Sequence, residues 1–187
     1  MTEQLIEVRE FLAADEPGVA ALLAAHMQSD QTWPPRYARE SGALSQWLAA
    51  SARLGRWVAT QGDAVIGHVG VSPVQPGEKA GLWQAAVGCP LERLAEIGRL
   101  VVHPARRRAG VSELLTRRCV RGTVSAGHVP VATALLTATA SIAMMTGLGW
   151  RVIGDVIGRR SGQAILLLVA PAQLVEAALS ASNPPTR

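Results

Sequence analysis

Glu96-Ile-Gly-Arg-Leu-Val-Val-His-Pro-Ala-Arg-Arg-Arg-Ala-Gly-Val-Ser112 is the stretch from which the rest of the chain can be read. It divides into an apolar strand, a tight basic loop and a helix start. The strand spans Leu94 to Val102, rich in aliphatic and β-branched residues. Pro104 has no N–H for a sheet ladder, so the strand is expected to stop near His103. The helix is expected from about Gly110 through Val120. Between them lie Arg107, Arg108, Ala109, Gly110, Val111 and Ser112. Such a turn suits an anion. The first amides of a helix lack intrahelical partners and sit at the positive end of its dipole, where a phosphate fits. Gly110 lets backbone amides come close to a ligand. Arg106, Arg107 and Arg108 add cations that pair with phosphate oxygens.

Working outward, Leu5 to Arg9 alternates as a first strand. Asp15 is expected as the N-cap of a helix running to about Met27, with Pro17 in its first turn. Leu44 to Leu54 reads as a second helix. Arg56 to Thr60 and Ala64 to Val71 read as a hairpin about Gln61-Gly62-Asp63. Pro76 to Arg93 is broken by Gly77, Gly81, Gly88 and Pro90 and reads as the least regular part, with Leu82 to Val87 as a helical turn at most. Val129 to Leu136 is the next strand. Ser141 to Leu148 is a short helix ended by Gly149. Trp150 to Ile157 and Gln163 to Val169 are closing strands, and Pro171 opens a last helix to Ser180.

The chain has 187 residues, 49% of them hydrophobic and 17% charged. That is the composition of a globular domain, long enough to bury roughly 70% of its unfolded surface. One domain over residues 1–180 is expected, with a short flexible tail at 181–187. The first residues carry no basic start and apolar core of a secretory signal. The longest apolar run, Ala164 to Pro171, is too short for a bilayer. A cytoplasmic protein that does not engage membranes is therefore expected. Cys89 and Cys119 form no disulfide framework, and Cys119 is expected to be a buried thiol. No Cys/His cluster has metal-ligand spacing, so no metal is expected. The formal charge is +4, and Lys79 is the only lysine. Basic residues concentrate at Arg106 to Arg108, Arg117, Arg118 and Arg121. Without a recognition-helix pattern or interleaved aromatics, they read as a solvated face and a phosphate site rather than a nucleic-acid surface.

The central stretch resembles the acetyl-CoA-binding motif of the GNAT superfamily of N-acetyltransferases, Arg/Gln-x-x-Gly-x-Gly/Ala after a strand ending Val-x-Pro. Here it stands as Arg107-x-x-Gly110-x-Ser112 after Val102-His103-Pro104, with small Ser112 in place of Gly or Ala. Gly149-Trp150 is similar to the family's later Gly-Phe, and Met145 occupies the position of its usual tyrosine. The resemblance covers about residues 5 to 170. It implies an α/β (α+β) fold: a mixed, mostly antiparallel twisted sheet flanked by helices, with splayed central strands. It also implies acetyl transfer from acetyl-CoA to a primary amine of a small molecule or protein. On this likeness, Leu100, Val101 and Val102 offer backbone groups to the pantetheine and thioester. Arg107, Arg108, Ala109, Gly110, Val111 and Ser112 hold the pyrophosphate.

An amine nucleophile must lose a proton, and an unperturbed lysine amine holds its own until about pH 10.4. Glu96 precedes the arginine motif by the spacing of the catalytic glutamate in the family's histone-acetylating members, within a matching Ala95-Glu96-Ile97. It is the expected base, directly or through water. Strand alternation sets Glu96 on one face with Gly98, Leu100 and Val102. Met145 cannot protonate the leaving thiolate. This leaves solvent or Ser141, or else a degenerate domain that binds acetyl-CoA as a sensor or interaction module. His68 could face the acceptor site, and His103 is expected at the surface end of its strand. Ser29 to Ser41, with Trp33 and Tyr37, either packs against the core or lines the acceptor site, and Pro76 to Arg93, with Trp83, either borders that site or is a plain surface loop. Their mixed charges name no acceptor. Homodimerisation through the late strands is left open.

Overall fold

The computed structural model describes residues 5–29, 34, 38–39, 44, 47–48, 53–158 and 162–181. Tyr37, Trp33, most of the expected second helix and the 182–187 tail lie outside them. Among the described residues seven strands form: β1 (Ile6–Glu10), β2 (Gly55–Gln61), β3 (Ala64–Pro73), β4 (Leu94–Val102), β5 (Val129–Leu135), β6 (Arg151–Ile157) and β7 (Ala164–Val169). Five helices accompany them, again among the described residues: α1 (Glu16–Ser29), α2 (Glu78–Val87), α3 (Val111–Ser125), α4 (Thr139–Gly147) and α5 (Ala172–Ala181). Hydrogen bonding orders the strands β1-β2-β3-β4-β5-β7-β6. The described pairings are antiparallel except β4 with β5. This is the mixed, mostly antiparallel α/β fold expected from the sequence.

The chain folds as two compact units, one of Met1–Val71 with Arg99–Cys119 and the other of Ser72–Gly98 with Val120–Arg187. In the first, β1, β2 and β3 form a meander. Gln61 pairs with Ala64, and Gly62 at φ 59° supplies the left-handed turn residue between them. The core joins Val19, Leu22 and Leu23 of α1 to Leu48, Val58 and Val101. Two glycines let the helices close in. A Cβ on Gly18 of α1 would meet Val65 at 2.6 Å, and one on Gly67 of β3 would meet Leu115 of α3 at 2.8 Å.

Asp15 does not cap α1 as expected. It ends a short 3-10 turn, Ala13–Asp15. Its carboxylate accepts from Leu12 N (2.7 Å) and from both terminal nitrogens of Arg9 (2.7 Å each). The cap is thus made backwards onto the turn, and α1 continues to Ser29 rather than Met27.

In the second unit, β5 pairs with β4 on one side and β7 on the other, and β6 pairs with β7. The parallel ladder covers Leu94–Ile97 against Val129–Ala132, and Thr133 to Leu135 continue on β7. Helix α2 is the main departure from expectation. Gly77 precedes it, and Gly88 at φ 68° closes it, its N–H bonded to Gln84 O. A Cβ at Gly81 would meet nothing within 4 Å, so that glycine lies on an open face and does not break the helix. Helix α2 packs on β6 and β7, and α5 packs on β5. Arg93 staples this unit, donating to Gly127 O (2.8 Å) and to Ala178 O near the end of α5 (2.7 Å). Helix α4 ends where Gly149 adopts φ 83°, and Trp150 beyond it is buried. Cys119 and Cys89 are both buried and in no disulfide.

Candidate functional site

The basic loop lies in the first unit. After β4, Pro104–Arg106 makes a 3-10 turn, and His103 Nδ1 accepts from Ala105 N at 3.3 Å. His103 is therefore a turn cap at the strand end. Arg107 is extended, and Arg108 (φ 63°) and Gly110 (φ 75°) are left-handed. Turns of this kind before a helix are a setting in which successive backbone amides bind anions. The first bond of α3 runs from Leu114 N to Gly110 O (3.0 Å). The amides of Val111, Ser112 and Glu113 therefore have no intrahelical acceptor. Val111 is buried, and Arg106 to Gly110 are exposed.

A Cβ on Gly110 would meet nothing within 4 Å. The glycine is thus required by its positive φ, and the space above it is open to a ligand. Arg107 leans onto the end of α1, its Nη2 donating to Ser29 Oγ at 3.1 Å and lying 3.5 Å from His26 Nδ1. An exposed loop, helix-start amides without intrahelical acceptors, open space beside Gly110 and three arginines fit a diphosphate.

Strand β4 carries a second irregularity. Arg99 is left-handed at φ 56°, a conformation costly for a non-glycine residue unless its surroundings hold it. His68 of β3 supplies the hold. Its Nδ1–H donates to Arg99 O (3.1 Å), and its Nε2 accepts from Arg56 Nε (3.2 Å). Arg56 stacks 3.6 Å over Phe11 and pairs with Glu16 at 3.4 Å. His68 has no exposed surface. Burial, aided by the two arginines, pushes its pKa down from 6.5 to about 4, against the opposing bond to Arg99 O. A neutral imidazole bonded at both nitrogens cannot face an acceptor. His68 instead shapes the strand whose next residues are Leu100, Val101 and Val102. Val101 points into the core.

Glu96 lies in the second unit, on β4 opposite Val131. Its side chain is 23% exposed. Lys79 of α2 places Nζ 3.1 Å from each carboxylate oxygen, and Thr133 Oγ1 donates to Oε1 at 2.9 Å. The Trp83 ring lies 5.2 Å from the same ammonium, and Trp83 is itself fully buried, so it anchors α2 rather than lining a surface. Sequence reasoning missed both Lys79 and Thr133 as partners of Glu96. The one available signal was that Lys79 is the only lysine. Met145 of α4 is buried and Ser141 exposed. Among the described residues no group of His, Cys, Asp or Glu could hold a metal ion, and no helix is long and apolar enough to cross a membrane.

The architecture is shared with many solved structures. That of yncA from Salmonella typhimurium, which holds its cofactor acetyl-CoA, is 19% identical, with a TM-score of 0.65 over 87% of this chain and 91% of that one. A GNAT family acetyltransferase from Brucella melitensis in complex with acetyl-CoA is 17% identical, with a TM-score of 0.58 over 89% and 88%. The ribosomal-protein-S18-alanine N-acetyltransferase from Escherichia coli is 13% identical, with a TM-score of 0.61 over 89% and 94%. At these identities the likeness is one of fold. No curated protein matches the sequence. The sequence model of the acetyltransferase (GNAT) family matches residues 18–150, most of the chain and all of the loop and strand described above, and the protein belongs to that family.

Proposed function

We propose that the protein moves the acetyl group of acetyl-CoA to a primary amine. The observation that carries this reading is the loop Arg107–Ser112, where left-handed Arg108 and Gly110 open α3 beneath an unfilled space. Backbone amides of Arg107, Arg108, Ala109, Gly110, Val111 and Ser112 take the pyrophosphate, with the arginine side chains beside it. Backbone groups of Leu100, Val101 and Val102, set by the Arg99 irregularity, take the pantetheine and thioester. An N–H there polarises the carbonyl as negative charge develops on its oxygen. The acetyl-CoA complexes of yncA and of the Brucella melitensis protein support this choice of donor.

Glu96 is the base. It takes one proton from the acceptor ammonium, directly or through one water. The freed nitrogen pair forms the N–C bond, the C–S bond breaks with its electrons on sulfur, and the second nitrogen proton passes through solvent to the thiolate. No described side chain is assigned as the acid, since Met145 at the usual tyrosine position has no proton to give.

That buried methionine favours a second reading, in which the domain binds acetyl-CoA and acts as a sensor. The two separate in one experiment. Release of CoA thiol is followed with a panel of amines, for the wild type and Glu96→Gln. Amine-dependent release that falls ~100-fold or more in the variant supports the transferase. Binding without release in either protein supports the sensor.

A further inference from the structure

Resting on the reading of Glu96 as the base, we propose that Lys79 and Glu96 together form the acceptor site for an α-amino acid, with the amine at Glu96 and the carboxylate at Lys79.

The starting point is the hydrogen-bonding capacity left in the cluster. An ionised carboxylate offers about four lone-pair directions and an ammonium three N–H groups. Lys79 and Thr133 together occupy both directions on Glu96 Oε1, and Lys79 occupies one on Oε2. One direction on Oε2 remains. Lys79 Nζ lies 3.1 Å from both oxygens, which engages at most two of its three N–H groups. Both side chains reach solvent, 35% exposed for Lys79 and 23% for Glu96. Among the described residues the cluster therefore leaves one acceptor direction and one N–H without a hydrogen-bond partner, from groups 3.1 Å apart, with the Trp83 ring 5.2 Å from the ammonium.

A ligand that satisfies both must carry a donor and an anion at matching separation. In an α-amino acid the nitrogen and the nearer carboxylate oxygen are roughly 2.5–3 Å apart, as backbone bond lengths fix. The zwitterion thus lies antiparallel to the Lys79–Glu96 pair, each charge against its opposite.

The same arrangement disfavours other acceptors. Glu96 is already matched by an ammonium, so this pair carries no net negative charge to draw a polycation. A simple amine, or the α-amine of a peptide, would place no anion against Lys79 and would meet its positive charge. Lys79 is the only lysine in a chain with 17 arginines. A compact ammonium suits a single shared point contact, where a guanidinium forks.

The test is CoA thiol release measured with the proteinogenic L-amino acids, each paired with its α-amide, alongside spermidine and a peptide with a free N-terminus. At least one amino acid should exceed its amide in kcat/KM by roughly 10- to 100-fold, the range of a lost charge-assisted bond. Lys79→Met should bring that ratio close to one, through KM for the amino acid, while the acetyl-CoA-dependent rise in Tm persists as proof of folding. Lys79→Arg should keep part of the preference. Amides, spermidine or peptide turned over as well as the acids, or a preference that survives in Lys79→Met, would overturn the assignment and leave the transferase standing. If acetyl-CoA binds and no amine in the panel is acetylated, the transferase reading falls and this one with it.

Discussion

Lowering the pH from about 7 to about 5 should destabilise the protein through His68 specifically. The imidazole is fully buried, with a pKa of about 4 in the folded chain against 6.5 as its ordinary value. The folded-state value lies below the unfolded one, so between these limits the unfolded chain binds the extra proton. The stability contributed by neutral His68 is fully present above pH 6.5 and is lost as the pH falls towards 4. The whole difference corresponds to about 3 kcal/mol, of which about 2 kcal/mol is lost by about pH 5. At this chain length that lowers Tm by roughly 4–7 °C.

The structural reason is that a proton on Nε2 removes the acceptor of Arg56 and sets two cations face to face in the core. His68→Gln keeps a donor for Arg99 O and an acceptor for Arg56 without titrating. Urea unfolding of both proteins at the two pH values should show the extra loss in the wild type alone, and NMR titration of His68 should find its pKa far below 6.5. Equal pH dependence in the two proteins, or an imidazole titrating near its ordinary value, would refute the reasoning.

Other expectations follow from neighbouring features. Gly67→Val should cost roughly 1–3 kcal/mol by forcing a branched side chain into Leu115 and Val111 of α3; urea unfolding reads this, and a neutral result would mean that the helix can retreat. Asp15→Asn removes the anion that Arg9 and the Leu12 amide share. It should cost about 1–2 kcal/mol at neutral pH, since Arg9 is partly screened by solvent. Arg9, through its hydrogen bonds, holds the Asp15 pKa below its ordinary value. The wild-type advantage should therefore be present above about pH 4 and vanish as acid protonates the folded carboxylate; an advantage unchanged in acid would argue against it. Gly110→Val places a β-branched residue at φ 75°, a strain of about 1–2 kcal/mol, and should weaken acetyl-CoA far more than it lowers Tm. A variant that binds as tightly as the wild type would remove the loop from the site.

What could be read from the sequence was set by local chemistry. Strand β4 ends where Pro104 makes it end, the Gly62 turn fixes the β2–β3 hairpin, and Gly149 stops α4. Each is decided by the backbone preference of one residue. What could not be read depends on partners distant in sequence. Gly77 and Gly81 argued against a helix over Glu78–Val87, because propensity does not know that α2 has β6 and β7 to pack on. Asp15 looked like a helix cap because Arg9 and the Leu12 amide, which claim it, compete only once the turn has formed. His68 was an isolated histidine until the left-handed Arg99 carbonyl gave it a purpose. The order of strands and helices placed Glu96 on β4, but only the packed structure brings Lys79 and Thr133 to its carboxylate. Motifs reveal residues that act through the backbone, whereas side-chain clusters assembled from several elements leave little trace in spacing.

The most direct test is a thermal-shift titration with acetyl-CoA, run on the wild type and on Gly110→Val. A ligand that binds only the folded chain, at ~100 times its dissociation constant, adds about 2.7 kcal/mol, or roughly 5–11 °C in Tm for a chain of this size. A saturable rise of that order in the wild type, absent or shifted to far higher concentration in Gly110→Val, is the predicted result. No rise at millimolar acetyl-CoA, or an equal rise in both proteins, would contradict the assignment of the cofactor to the Arg107–Ser112 loop.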